Sequence, residues 1–320
     1  MELQGKNILV TGGAGFIGSN LVDRLIEEKP NSLIVVDSFF LGSEENLAEA
    51  KSLYPDLKIY RVNAANLGVM LQIAKMEKID VLFDMATVPL PTSLTFPTWT
   101  IENNVGLVTT SCELVRQGYV GTLLYCSSSE ALGSALYAPM DEDHPLNPRT
   151  PYAASKTAGE HIVKSYLRTY GIDMVIVRPF NNFGPRQNKG SYAGVIPIII
   201  NRIQQGIPIE IFGDGEQSRD FIFVKSTAEA MVRIIKNEET RGRTVNVASG
   251  KETTINNLVD LIARVMGKPD FPRYHSDPRP GEVLRLCGSA KLLKQLTGYE
   301  VKSIDPDTLA ETIDWYIKHE

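Results

Sequence analysis

The stretch ILVTGGAGFIGSNLVDRL, residues 8–25, decides the fold that this sequence predicts. A short apolar run ends at spaced glycines, and an amphipathic segment follows, which indicates a strand, a tight turn and a helix. Glycines in such a turn let the backbone approach a pyrophosphate, and the helix N-terminus faces that anion with free N–H groups. The candidate dinucleotide-binding residues are Gly12, Gly15, Phe16, Ile17 and Gly18.

Asp37 ends the next apolar run, LIVVD, at the distance expected of an acidic residue that binds the adenosine ribose. A carboxylate there hydrogen-bonds the ribose hydroxyls and repels a 2′-phosphate, and no arginine stands beside it in VVDSFF. The pattern therefore favours NAD over NADP. The alternative is a structural glycine turn with a solvated aspartate, so the prediction depends on the turn and Asp37 together.

Apolar runs alternate with amphipathic segments through the first half of the chain. The predicted strands are NILVT, LIVVD, KIYRV, DVLFDMA, GTLLYCSS and DMVIVRPF. We therefore expect an α/β fold: a Rossmann-type doubly wound parallel sheet with a smaller mixed α/β C-terminal substrate lobe. The NAD-binding domain is assigned to residues 1–178. The substrate lobe is assigned mainly to 179–320, with some segments returning to the first domain.

The composition of the 320-residue chain argues against several functional classes. A net charge of −5 provides no basic surface for nucleic acid. The sequence has no apolar run of membrane-spanning length, and its N-terminus leads into the glycine turn rather than into a signal peptide. Cys112, Cys126 and Cys287 are widely spaced, which predicts reduced thiols in the cytoplasm and no metal site.

The segment TPYAASKTAGEH places Tyr152 four residues before Lys156, on one face of a helix that Thr150 and Pro151 would begin. An ammonium group beside a phenol favours the phenolate and lowers the pKa of the tyrosine. The phenolate can then accept a proton from a sugar hydroxyl while hydride passes to nicotinamide. This spacing also arises by chance on amphipathic helices, so by itself it does not define a site.

Segments spread over nearly the whole chain resemble the extended short-chain dehydrogenase/reductase superfamily, in its NAD-dependent nucleotide-sugar epimerase/dehydratase branch. They are TGGAGFIG, IENNVG, YCSSSEALG, PYAASK, VRPFNNFGPRQ, GDGEQSRDF and DPRPGEV. The resemblance implies that Ser128 is the hydrogen-bonding hydroxyl of a Ser–Tyr–Lys set, with Tyr152 as base and Lys156 as its partner. It implies contacts with NAD by Tyr152 and Lys156, by Ala86, and by Asn63, where the family often has an aspartate.

The same resemblance predicts how a nucleotide-diphospho-sugar substrate is held. Asn181 and Arg186 fall in the family's substrate loop, and Arg219 and Arg279 look like its diphosphate-binding arginines. Arginine suits this task because its planar guanidinium can contact a phosphate bidentately, although Arg279 alone could equally be an exposed loop residue. The resemblance also implies a homodimer, in which segments 105–117 and 152–170 form a four-helix bundle with those of the partner.

Two departures from the family pattern lie near the expected cleft. Asp84, Met85 and Ala86 replace the usual His-Leu-Ala, and Leu132 replaces a tyrosine before Gly133. Neither departure removes a member of the Ser–Tyr–Lys set, but both bear on how the substrate is placed.

Glu130 follows the serine cluster and separates the reactions of this family. All of them begin when Tyr152 deprotonates the sugar 4-hydroxyl and a 4-keto intermediate forms. A 4-epimerase needs no second base, whereas a 4,6-dehydratase needs one to remove the C5 proton. Ser129 and Glu130 resemble the Ser–Glu pair of such dehydratases. We therefore favour an NDP-hexose 4,6-dehydratase acting on a UDP-GlcNAc-like sugar, with Ser128, Ser129, Glu130, Tyr152 and Lys156 as catalytic residues.

Other functions stay open at this point. UDP-glucuronate decarboxylases share the Ser–Glu pair, and the sequence is compatible with a UDP-sugar 4-epimerase. Glu130 could also be structural, bonded to backbone or to an arginine. A non-catalytic dinucleotide sensor would lose Tyr152 or Lys156, and both are present. A reductase that releases NAD(H) is disfavoured by the nucleotide-sugar loops.

Overall fold

The glycine-rich segment folds as the sequence predicts. In the computed structural model, which describes residues 1–190, 193–278 and 283–319, β1 (Asn7–Thr11) leads through the glycine turn into α1 (Phe16–Ile26). Every residue of β1 after Asn7 is buried, as two-sided covering of a parallel strand requires.

A parallel sheet of seven strands forms the centre of the described part of the chain. Its strands are β1, β2 (Ser32–Asp37), β3 (Lys58–Arg61), β4 (Ile79–Asp84), β5 (Val120–Cys126), β6 (Asp173–Pro179) and β11 (Thr244–Val247). Their spatial order is β11-β6-β5-β4-β1-β2-β3, and every neighbouring pair is parallel. The order reverses between β1 and β4, which in doubly wound sheets marks the ligand-binding crevice at the carboxyl ends of the strands. The predicted fold class is confirmed.

Helices cover both faces of this sheet and build the C-terminal part. They are α2 (Ala48–Leu53), α3 (Leu67–Glu77), α4 (Leu90–Thr95), α5 (Pro97–Arg116), α6 (Pro151–Tyr170), α7 (Val195–Gln205), α8 (Val224–Lys236), α9 (Ile255–Val265), α10 (Lys291–Thr297) and α11 (Pro306–Lys318). Short 3-10 turns occur at Glu45–Leu47, Ser129–Leu132 and Glu238–Thr240.

The second half of the chain contributes to two apolar cores. β11 pairs with β6, and α8 packs against α1, so these segments belong to the main sheet and its covering layer. A separate cluster around Phe183, Ile199, Leu258 and Leu309 holds α7, α9 and α11 together. The remaining strands of the described residues are short: β7 (Asn181–Phe183), β8 (Ile209–Phe212), β9 (Ser218–Arg219), β10 (Phe221–Phe223), β12 (Thr253–Thr254), β13 (Arg273–Ser276) and β14 (Arg285–Leu286). β7, β8 and β10 contribute residues to that cluster.

Several expectations concern the molecule as a whole. α5 and α6, the helices proposed for a dimer interface, lie against each other along the same side of the sheet, and the homodimer stays a prediction. No helix in the described ranges is long and apolar enough to cross a membrane. The described residues also contain no cluster of side chains suited to a metal ion. Cys112, Cys126 and Cys287 are buried free thiols.

Candidate active site

A cavity of about 560 Å³ opens at the carboxyl ends of the strands. Its walls come from the glycine turn, the loops after β2, β3, β4 and β5, the first turns of α6 and the segment 179–188. The predicted residues that line it are Gly12, Gly15, Phe16, Ile17, Gly18, Asp37, Asn63, Ala86, Ser128, Ser129, Glu130, Tyr152, Lys156 and Asn181. Folding therefore brings the proposed cofactor residues and the proposed proton-transfer residues into one space.

Close backbone packing explains why glycine is required at two positions of the turn. Gly12 has a φ of +66°, and a Cβ there would lie 2.8 Å from the backbone of Ala86. A Cβ on Gly18 would lie 2.1 Å from the Gly12 carbonyl oxygen. The turn can thus pack against the segment after β4. The N-terminus of α1 lines the cavity with no side-chain cap, which suits an anionic group.

Asp37 closes the β2 end of the cavity. Its carboxylate accepts hydrogen bonds from the backbone N–H groups of Ala14, at 2.9 Å, and of Phe39, at 2.7 Å. Burial raises the pKa of Asp37, and these two donors oppose the rise. Asn63 follows β3 in the same wall and donates to the side chain of Asn103 at 3.0 Å. This end of the cavity therefore offers both acidic and amide groups to a nucleoside.

The helix that carries Tyr152 and Lys156 begins where the sequence predicted. Thr150 caps α6, since its Oγ1 accepts a hydrogen bond from Ala153 N at 3.1 Å, and Pro151 occupies the first helical position. Tyr152 lies within the first turn and Lys156 one turn later, so both side chains face the end of β5. The local sequence alone accounts for this placement.

The members of the Ser–Tyr–Lys set converge on the cavity. Lys156 Nζ donates a hydrogen bond to the Cys126 carbonyl at 2.9 Å, which ties α6 to the end of β5. Ser128 is within hydrogen-bonding reach of the Tyr152 hydroxyl. Its Oγ also accepts a hydrogen bond from Glu130 N at 3.2 Å, which begins the short turn Ser129–Leu132.

The predicted lowering of the pKa of Tyr152 by Lys156 is wrong. Burial raises the pKa of Tyr152, and the groups that oppose this rise are the hydroxyls of Ser128 and Thr87. The Lys156 ammonium is directed at the Cys126 carbonyl, and burial lowers its own pKa. A positive charge placed beside Tyr152 would favour its phenolate.

Both departures from the family pattern are buried. Asp84 Oδ1 accepts a hydrogen bond from Thr11 Oγ1 at 2.8 Å, and that hydroxyl oxygen accepts from Met85 N and Ala86 N at 3.1 and 3.2 Å. Leu132 packs in the core beneath the site. Neither Asp84 nor Leu132 lines the cavity, so both act on the site by supporting its walls.

Glu130 is a carboxylate in the cavity wall beside Ser129 and Tyr152. Within the described ranges, no group donates a hydrogen bond to its side chain. Burial raises the pKa of Glu130, and the charge of Arg219 partly opposes this effect. The charge of Glu130 in turn raises the pKa of Tyr152, so the two side chains interact electrostatically.

A buried ion pair lies behind the serine segment. Arg178 Nε and Nη2 each donate to the Glu160 carboxylate at 2.7 Å, and Ser127 Oγ donates to it at 2.7 Å. Burial by itself would raise the pKa of Glu160, but these donors hold it below its usual value. The pair joins α6 to β6 and fixes the end of β5 from which Ser128 projects.

The residues predicted to bind substrate do not all reach the cavity. Asn181 lines it, and its Oδ1 is buried with no hydrogen-bond partner among the described residues. Arg219 does not line the wall itself, although its charge acts on Glu130, and its Nη1 donates to the Ser218 carbonyl at 2.9 Å. Arg279 lies outside the described residues.

The structure does not bring Arg186 into the cavity. Its guanidinium bonds to the carboxylates of Asp23 and Glu49, and the latter bond is 2.9 Å long. Both partners are distant in the chain, so neighbouring residues do not reveal them. Asp23 lies in α1 and Glu49 in α2, so the side chain of Arg186, whose φ is +69°, links segment 179–188 to these two helices.

Thr87 is a site residue that the sequence reasoning missed. It follows Ala86 after β4, lines the cavity and is within hydrogen-bonding reach of the Tyr152 hydroxyl. Its position at the carboxyl end of a central strand is the signal that could have identified it. Asn103, in the segment IENNVG, also lines the cavity, where its side chain accepts a hydrogen bond from Asn63.

This fold, with a glycine turn and a cavity at the carboxyl ends of parallel strands, is the arrangement expected of a dinucleotide-binding protein. Residues 8–248 match the NAD dependent epimerase/dehydratase family, and the chain belongs to that family. A UDP-glucose 4-epimerase from Mycolicibacterium smegmatis is 32% identical over 312 residues, which cover 96% of this chain and 97% of that protein.

Solved structures of both reaction types resemble the chain. A UDP-N-acetylglucosamine 4-epimerase from Methanobrevibacter ruminantium, in complex with UDP-N-acetylmuramic acid, is 33% identical with a TM-score of 0.90, covering 99% of this chain and 100% of that one. DesIV, a dTDP-glucose 4,6-dehydratase from Streptomyces venezuelae with NAD bound, is 26% identical with a TM-score of 0.88, covering 97% of each chain.

The chain is thus an NAD-dependent enzyme of the nucleotide-sugar epimerase/dehydratase family. The residues present fit the cofactor. Any side chain at Gly12 or Gly18 would fill the space of the turn, the α1 N-terminus is open to a pyrophosphate, and Asp37 is placed for a ribose.

Proposed function

We propose that this protein is an NDP-hexose 4,6-dehydratase acting on a UDP-GlcNAc-like nucleotide sugar. The observation that carries the proposal is the state of Glu130, a partly buried carboxylate in the cavity wall beside Tyr152 that receives no hydrogen bond from the described residues. A carboxylate with a structural role is normally satisfied by donors, as Glu160 is. An unsatisfied one in a cavity is available to a substrate proton.

Tyr152 performs the first proton transfer of the proposed reaction. Its oxygen accepts the proton of the sugar 4-hydroxyl, while Ser128 hydrogen-bonds the oxygen that becomes the 4-ketone. Lys156, held by the Cys126 carbonyl, adds a positive charge below the pair. Bound NAD⁺ supplies the hydride acceptor for C4 and the positive charge that favours the Tyr152 phenolate.

Glu130 performs the second proton transfer. The 4-ketone acidifies the C5 proton. The Glu130 carboxylate accepts this proton and passes it to the C6 hydroxyl, which leaves as water with the electrons of the C6–O bond, so a C5–C6 double bond forms. Hydride then returns to C6 and C5 takes up a proton, equivalent to the one that Tyr152 accepted from the 4-hydroxyl, which gives a 4-keto-6-deoxy sugar. The raised pKa of Glu130 suits this role, because a more basic carboxylate is a better acceptor for a carbon-bound proton.

The substrate is held by fewer groups than the sequence predicted. Asn181 offers a buried amide oxygen to the sugar or to the cofactor. Arg219 acts electrostatically on Glu130, so it stands close enough to place a diphosphate next to the reacting sugar. Arg279 keeps this role by resemblance alone, and Arg186 is not part of the proposal.

A UDP-sugar 4-epimerase is the second candidate. It is favoured by the relatives that are 32% and 33% identical, both of which are 4-epimerases. In that reaction Tyr152 and Ser128 act as described, and Glu130 only hydrogen-bonds a sugar hydroxyl. A UDP-glucuronate decarboxylase, which shares the Ser–Glu pair, is the third candidate.

Mass spectrometry of the products tests the choice. The purified enzyme is incubated with UDP-GlcNAc, UDP-glucose, UDP-glucuronate, GDP-mannose or dTDP-glucose, one at a time and without added NAD(H). We expect the loss of one water from a hexose substrate. Loss of CO₂ from the uronate would mean a decarboxylase, and an isomer of unchanged mass as the sole product would mean an epimerase.

The variant Glu130→Gln tests the residue itself. We expect dehydration to fall by about 10²- to 10⁴-fold, the usual contribution of a general base, with NAD still bound. The C4 hydride transfer, seen as nicotinamide absorbance in a single turnover, should persist. Glu142→Gln is the matched control, because burial also raises the pKa of Glu142 but its side chain lies outside the cavity. Normal dehydration by Glu130→Gln would remove the proposed base.

A further inference from the structure

Two aromatic rings meet at the mouth of the cofactor cleft. Phe40, in the loop after β2, and Trp99, in the first turn of α5, have ring centroids 5.2 Å apart and an interplanar angle of 75°. Both rings line the cavity that holds Gly12 and Asp37, and they are 47% and 42% exposed. The rings thus come from separate elements and meet beside the cofactor residues, although each keeps a large exposed surface.

The loop that carries Phe40 is fixed to the glycine turn. Asp37 accepts a hydrogen bond from Phe39 N at 2.7 Å, and Ser43 N donates to the Ala14 carbonyl at 3.1 Å. The Asn46 side chain donates to the same carbonyl at 2.8 Å. The backbone on both sides of Phe40 is therefore held against the turn that approaches the pyrophosphate.

Trp99 lies above the nucleoside end of the cavity. It precedes Asn103 by four residues, so the two side chains share a face of α5. Asn103 bonds to Asn63, which stands in the wall formed by the ends of β2 and β3. The ring pair therefore spans the cleft beside Asp37, away from Tyr152.

We propose that Phe40 and Trp99 act as an aromatic clasp that closes over the adenosine half of bound NAD and slows its release. Aromatic faces stack favourably on a nucleobase, and an edge-to-face pair strengthens their mutual contact. Retention of the cofactor suits a reaction in which hydride leaves the substrate and returns to it. The inference rests on NAD binding by the family and holds for a dehydratase or an epimerase alike.

The rate of cofactor release tests the clasp directly. The protein is loaded with NADH, excess NAD⁺ is added, and the loss of bound-NADH fluorescence is followed. We expect Phe40→Ala and Trp99→Ala each to raise the dissociation rate by about tenfold, the effect of losing one aromatic contact. In the double variant the dissociation rate of NADH should rise by less than the product of the two single effects, because the rings act as a pair. Phe40→Leu should lie between the native protein and Phe40→Ala.

A matched control and a second readout make the test decisive. Tyr274→Ala removes an aromatic ring that is 48% exposed and lies outside the cavity, so it should leave the dissociation rate unchanged. Trp99 and Trp315 are the chain's two tryptophans, so Trp315→Phe leaves Trp99 as the single reporter, and we expect its emission to change when NAD binds.

Two results would overturn the proposal. One is an unchanged dissociation rate and an unchanged molecular mass in both single variants, which would leave the rings without a role in NAD retention. The other is an unchanged dissociation rate with a lower molecular mass by light scattering, which would assign the rings to contact with a second copy of the chain. Neither the NADH dissociation rate nor the molecular mass depends on dehydratase activity. Failure of the clasp and failure of the proposed reaction are therefore distinguishable.

Discussion

Glu160 and Glu130 are two glutamates that lie close to the serine segment 127–129, one behind it and one in the cavity wall. Glu160 is bound by Arg178 and Ser127, and these bonds outweigh burial and lower its pKa. Glu130 receives no hydrogen bond from the described residues, and burial raises its pKa. Burial is common to both, so the partners decide which carboxylate stabilises the fold and which can accept a proton.

Ser127 and Ser128 differ in the same way as the two glutamates, one in a buried bond and the other in the cavity. Ser127 points to Glu160, whereas Ser128 points to the cavity and Tyr152. Successive residues of an extended segment face opposite sides, so one short stretch supports both regions. The predictions below test whether the two regions are as separate as their contacts indicate.

Arg178→Met should have the largest effect on stability. It leaves the Glu160 carboxylate buried with most of its donors removed, and the free energy of unfolding in urea should fall by about 3–5 kcal/mol. The matched control is Arg178→Met combined with Glu160→Leu, which replaces both charges with apolar groups and should recover much of the loss. A single variant as stable as the native protein would show that the pair does not hold this region together.

Ser127→Ala and Ser128→Ala should separate stability from chemistry. Loss of the Ser127 hydrogen bond to a charged group should cost about 1.5–3 kcal/mol of unfolding free energy, with turnover per folded molecule little changed. Ser128→Ala should cost less, about 1 kcal/mol, because it removes only the hydrogen bond from Glu130 N that caps the short turn. Its turnover should fall by about 10²-fold or more, as for loss of a donor to a developing oxyanion. The reverse pattern would exchange the roles given to the two serines.

Glu130→Gln should have a smaller effect on stability than the loss of Arg178 or Ser127, and the size of that effect depends on pH. Because folding raises the pKa of Glu130, the folded state holds its proton more tightly, and stability falls as pH rises from about 4.5 through the folded-state pKa. Glutamine does not titrate, so the Glu130→Gln variant does not lose stability in this way as pH rises. It should therefore be more stable than the native protein at pH 8, with the difference fading below pH 4.5. Urea unfolding at a series of pH values measures this, and an equal difference at every pH would show that Glu130 does not titrate as described.

Much of the site could be predicted because its signals are local. The glycine turn, the acid at the end of β2 and the capped start of α6 each depend on a few neighbouring residues. Parallel strands then bring their carboxyl ends together at one edge, so residues far apart in the chain meet in one cavity. This is why Gly12, Asp37 and Tyr152 lie in one cavity, as their positions in the sequence predicted; Ser128, which the family resemblance implied, lies there too.

Contacts between residues far apart in the chain could not be predicted. Arg186 bonds to Asp23 and Glu49, which precede it by 163 and 137 residues, so no local pattern indicates these ion pairs. Lys156 has the predicted spacing from Tyr152, but the Cys126 carbonyl accepts its hydrogen bond. Thr87 was missed because a lone threonine after a strand has no distinctive pattern.

The sequence by itself determined the Rossmann-type sheet, the glycine turn and the start of α6, because hydrophobic period, glycine position and helix capping are properties of short segments. The roles of the Ser–Tyr–Lys set were implied by the family resemblance and stay a prediction. Only the tertiary structure decided which carboxylates are paired, where Arg186 lies and in which direction the pKa of Tyr152 shifts. Those outcomes depend on burial and on the distance between groups, and both arise only when the chain is packed.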